Sequence, residues 1–101
     1  MGMNFSAAVL GNQRLVILQV LQQDAAGSCN ENVLRVALGM AGHRSLSPLR
    51  VRDLLSWLSR QGLVALEERA GLMLARITDR GEDVALGGSS VPGVDAPGRD
   101  L

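Results

Sequence analysis

The residues best equipped for chemistry lie in one short window. Between positions 43 and 60 stand Arg44, Arg50, Arg52 and Arg60 against one acid, Asp53, a local charge of +3 in a chain whose formal net charge is zero. A guanidinium presents a planar fork of donors that fits a guanine edge or a phosphate. The ordinary alternative is a solvated helix face with Asp53 as a local partner. The flanks show no such excess: Arg14 and Arg35 balance Asp24 and Glu31 over residues 1–42, and residues 61–101 set seven acids against four Arg, a charge of −3.

Other reactive side chains form no recognisable constellation. Cys29 and His43 would make a nucleophile and a base, but no third orienting group accompanies them, and both are read as structural. Asp79, Glu82 and Asp83 suggest a metal at first sight; they read better as the acidic first turn of a helix, where carboxylates favour the dipole. No glycine-rich segment matches a phosphate-binding loop. No catalysis, cofactor or metal is therefore expected. A lone cysteine, with no basic start like that of a signal peptide and no apolar run long enough to span a bilayer, points to a cytoplasmic setting.

These residues must be held by elements that the sequence outlines. The 101 residues suffice for one domain with a modest core, built of Leu, Val, Ile, Met and Ala because Phe5 and Trp57 are the only aromatics. A first helix is expected over residues 11–25, with Leu15, Ile17, Leu18 and Leu21 facing the core; residues 1–10 are an N-terminal arm or an extension of that helix. Ser28-Cys29-Asn30-Glu31 fits a capping box opening a second helix, which continues through Val33, Leu34, Ala37, Leu38 and Ala41 to Gly42. Ser47-Pro48 opens a third helix and Gly62 closes it; Val51, Leu54, Leu55 and Leu58 form its apolar stripe. Trp57 falls off that stripe, either to pack under the following hairpin or to join an exposed patch for a partner. Alternating residues 63–78 read as a β-hairpin turning at Arg69-Ala70-Gly71, and Thr78 caps a short helix to about Leu86. Residues 88–101, rich in Gly, Pro and Ser, read as a flexible tail after a domain spanning 11–87.

Three helices followed by a hairpin, with Val51-x-x-Leu54-Leu55-x-x-Leu58-x-x-x-Gly62-Leu63-Val64 and then Arg76-Ile77-Thr78-Asp79-Arg80-Gly81, resemble winged helix-turn-helix regulators of the MarR, PadR and ArsR types. The resemblance covers about residues 12–86. It implies an α+β, mainly α, winged helix-turn-helix fold and a non-enzymatic, sequence-specific transcription regulator binding double-stranded DNA, of a compact kind common in phages and prophages. Carried onto this chain, the third helix (47–61) would enter the major groove. Ser47, Leu49, Arg50, Arg52 and Asp53 would face the bases, Arg44 and Ser45 would hold phosphate, and Arg69 would serve the wing tip. Such regulators often pair, and the apolar residues 5–10 are the expected homodimer interface. Two features depart from the resemblance. The connection 42–46 is longer than the tight turn of many relatives, and the wing carries Glu67 and Glu68. The neutral charge and acidic wing leave a rival reading, a protein-interaction adaptor of the same fold without DNA contact.

Overall fold

The computed structural model describes residues 5–98. Four helices and a three-stranded antiparallel sheet follow one another as α1 (Phe5–Gln23), β1 (Ser28–Asn30), α2 (Glu31–Met40), α3 (Pro48–Arg60), β2 (Val64–Arg69), β3 (Leu72–Ile77) and α4 (Asp79–Leu86). This is an α+β architecture, about half helical.

The helix ends follow from local chemistry. Ser47 caps α3 by accepting from the Arg50 amide at 3.1 Å, and Pro48 takes the first turn, where an absent N–H costs nothing. Thr78 caps α4 by accepting from the Gly81 amide at 3.0 Å. At the hairpin tip Ala70 and Gly71 both take positive φ, 53° and 82°, the two-residue turn whose twist matches that of paired strands. Gly81 is a packing necessity: a Cβ there would lie 2.1 Å from the Leu63 carbonyl oxygen, so only glycine lets α4 seat on the entry to β2.

One open expectation is decided and two others are corrected. First, residues 5–10 extend the first helix rather than form an arm, because residues 6–10 contain good helix formers and no breaker, and the helix ends at Gln23, two residues before the expected end. Residues 1–4 of the expected arm lie outside the described residues. Val9 and Leu10 are half-buried in the helix, which removes much of the exposure that motivated a dimer interface there. Second, Ser28-Cys29-Asn30-Glu31 is not a capping box. Its first three residues form β1, paired Ser28 to Arg76, Cys29 to Ala75 and Asn30 to Leu74, and Asn30 is the cap of α2, accepting from the Val33 amide at 3.0 Å. The sheet order is therefore β1-β3-β2, with β3 central.

Third, the expected flexible tail is docked as far as it is described. Val91 is buried in the core and Val94 packs against it. The Gly93 carbonyl accepts from Arg14 Nη1 at 3.0 Å, and the Asp95 amide donates to the Gly11 carbonyl at 3.2 Å. Residues 99–101 lie outside the description.

The core joins Ile17, Leu18 and Leu21 of α1, Leu34 and Leu38 of α2, and Val51, Leu54, Leu55 and Leu58 of α3 to Leu63, Val64, Ala75, Val84 and Ala85. Each of those large side chains contributes about 1.5–3 kcal/mol by leaving water. Of the apolar positions along α2, Leu34 and Leu38 turn inward, Ala37 is half-buried and Val33 is exposed.

Candidate nucleic-acid interface

With four of its residues facing the core, α3 must present the rest. At 100° per residue, Leu49, Asp53, Ser56 and Arg60 share the outward face, Arg50 and Trp57 flank it toward α1, and Arg52 flanks it toward the hairpin. Leu49 is 69% exposed. The connection ahead of α3 holds Arg44 and Ser45, both exposed, with Ser45 in the left-handed region at φ 65°. That connection is tied to α1 through His43: Nε2 donates to Asn12 Oδ1 at 2.7 Å and Nδ1 accepts from the Gln13 amide at 3.5 Å.

The expected contact residues divide into free and committed groups. Among the described residues, Arg44 and Arg50 make no ion pair. Arg52 is committed. Its Nε and Nη2 each donate to a separate oxygen of Glu31 at 2.7 Å, and Nη2 also reaches the Gly71 carbonyl at 3.1 Å. Arg69 pairs with Glu67 at 2.7 Å, so the one cation at the hairpin tip is already partnered. Asp53 is exposed on the outward face and makes no ion pair among the described residues.

Glu31 was overlooked as a structural hub because it stood in a sequence that read as a cap. Its carboxylate is buried, 5% exposed, and Oε2 also accepts from the Met73 amide at 2.7 Å. β1 ends one position earlier, opposite Leu74, so this side chain continues the β1 ladder after the backbone has turned into α2. The Arg52 hydrogen bonds, then the Met73 amide, hold the carboxyl down to about 2, against the upward push of burial. One side chain thus ties α2, α3 and the hairpin together, and fixes the hairpin beside α3.

Trp57 packs neither under the hairpin nor in an open patch. The Arg14 guanidinium lies over its ring, 3.8 Å from the centroid, with Gly93 against the ring edge. The Cys29 thiol is pushed up by burial and by the charge of Asp24, which disfavours the reactive thiolate. Among the described residues no group of three or more His, Cys, Asp or Glu is placed to hold a metal ion, and no helix is long and apolar enough to cross a membrane.

A second exposed feature lies on α2. Val33, Val36 and Met40 line a shallow apolar groove with Asn32 and Ala37; Val36 is 61% and Met40 85% exposed.

No family model matches the chain. It is 40% identical over 86 residues to the uncharacterized protein gp26 of Escherichia phage Mu, covering 85% of this chain and 88% of that protein. It is also 40% identical over 79 residues to an uncharacterized protein of Haemophilus influenzae, covering 77% of this chain and 76% of that one. The chain belongs to the family that includes phage Mu gp26 and this Haemophilus influenzae protein.

Proposed function

We propose that this protein is a winged-helix regulator that binds double-stranded DNA with α3. The observation that carries the reading is the exposed N-terminal half of α3, approached through Arg44 and Ser45 and bearing Arg50, with neither arginine held in an ion pair among the described residues. The element order, with β1-β3-β2 flanking the helices, supports the winged-helix assignment. In this reading Arg50 and Leu49 meet the groove, Arg44 and the capped helix N-terminus meet phosphate, and Arg52 sets the spacing between α3 and the wing.

The test is a titration of duplex DNA at two salt concentrations with wild type and an Arg44→Gln/Arg50→Gln double variant. Arg52 is left intact because its replacement would release the hairpin. Wild-type affinity should fall steeply with salt, and the variant should lose about one unit of salt slope per phosphate contact, or about 1–3 kcal/mol of sequence discrimination per base contact. Binding that is absent, or insensitive to salt, removes the DNA reading.

The exposed stripe Val33, Val36 and Met40 favours one second reading, a protein-interaction adaptor of the same fold. Together with Glu67 and Glu68 on the hairpin, it would make α2 rather than α3 the working surface.

A further inference from the structure

The seam between the N-terminal half of α1 and α3 holds two adjoining grooves of about 220 Å³ each. They share Leu10 and Arg50 and differ in character. Toward the start of α1 the walls are mainly apolar, Val9, Leu10 and Leu46, with Ser6 and Gln13 beside them. Toward the end of α3 they carry Arg14, Arg50 and Arg60 around Leu54 and Trp57. Joined, they come within the range of ordinary small-molecule sites, which begins at about 300 Å³.

The cationic end is electrostatically incomplete. Among the described residues, Arg14, Arg50 and Arg60 make no ion pair, and Asp53, which lines the same groove, lies within bridging distance of none of them. Arg14 is held by Trp57 and by the Gly93 carbonyl, yet its Nε is buried without a hydrogen-bond partner. A half-buried guanidinium with no counter-charge bears part of the cost of leaving water. An anion seated between the three arginines would supply that charge and accept from their free donors.

We propose that this seam is a binding site for an amphiphilic organic anion, with its apolar body against Val9, Leu10 and Leu46 and its carboxylate or phosphate head among Arg14, Arg50 and Arg60. The site goes beyond the DNA reading and shares only Arg50 with it, because Arg14, Trp57 and Arg60 have no part in the proposed DNA contacts.

The chain's single tryptophan is in the wall of the groove and reports occupancy directly. The full chain is titrated with octyl phosphate and with octanoate, and with inorganic phosphate and octanol as head-only and tail-only controls. Trp57 fluorescence should change saturably with at least one amphiphile, and each control should bind roughly tenfold or more weakly. The tighter amphiphile identifies the head group. Arg60→Gln, an exposed change that leaves the Arg14–Trp57 stack intact, should weaken binding about tenfold with an unchanged melting curve. Amide shifts at Leu10 and Arg60 give a second readout. No saturable change in either signal, or equal affinity in Arg60→Gln, overturns the site. Failure here and failure of the DNA titration are distinguishable, since Arg44 lines neither groove and Arg60 has no part in the proposed DNA contacts.

Discussion

Replacing Glu31 by Gln tests the central inference about what holds the hairpin to the helices. The amide keeps the side chain's shape but turns one of two acceptor oxygens into a donor. It must then oppose either Arg52 Nε or the pair formed by Arg52 Nη2 and the Met73 amide. Hydrogen bonds to a charged group contribute about 1.5–3 kcal/mol. Arg52 is 37% exposed, so water recovers part of its share, and the loss should fall at about 1.5–2 kcal/mol. For a domain of this size that lowers the melting temperature by roughly 6–16 °C. The loss should also depend on pH. A carboxyl held at about 2 in the folded chain, against 4.5 as its ordinary value, stabilises above the ordinary value, and this contribution disappears as pH falls from about 4.5 through about 2. Denaturant melts near pH 7 and near pH 3 should therefore show a wide gap between wild type and Glu31→Gln that narrows in acid. A difference below about 0.5 kcal/mol at neutral pH, the scatter of ordinary surface changes, would refute the hub. So would a gap that is the same at both pH values.

Two further outcomes follow from the packing. Leu55→Ala, at a fully buried position on α3, should cost about 2–5 kcal/mol in denaturant melts. Ending the chain after Gly87 removes buried Val91 together with the Gly93 and Asp95 bonds to α1; it should cost about 1.5–3 kcal/mol from Val91 alone, whereas an unchanged melt would mean that the segment adds nothing to the core.

What could be read from the chain was whatever rested on neighbours in sequence. Ser47-Pro48, the Ala70-Gly71 turn and Thr78 each act within four residues, and the structure places a helix start, a hairpin tip and a helix start there. The stripe Val51, Leu54, Leu55 and Leu58 was legible for the same reason. Hidden features depend on distant partners. β1 is three residues long and exists because β3, over forty positions later, offers it a ladder; the same Ser, Asn and Glu satisfy a capping pattern equally well. Arg52 stood in a basic window and looked free, but its partner is 21 residues away on another helix. In residues 88–98 only Val91 and Val94 carry the packing, too few to show a period among Gly, Pro and Ser. Of the candidate site, the charge excess was visible, but its division into free Arg44 and Arg50 and committed Arg52 and Arg69 was not.

The docking of α1 against the other end of the chain has a consequence for synthesis. α1 emerges from the ribosome ahead of the other described elements, whereas α4 and residues 91–95, among its principal partners, emerge behind them. Until they emerge, α1 lacks the part of its cover that they supply. The hairpin can form as soon as its own residues emerge, because its contacts are local, whereas the closing contacts to α1 join residues some eighty positions apart and wait until residues 91–95 have emerged. A chain cut short before residue 91 would leave that helix with an unsealed apolar flank. The cell's proteases would then meet the partially folded product that the finished protein conceals.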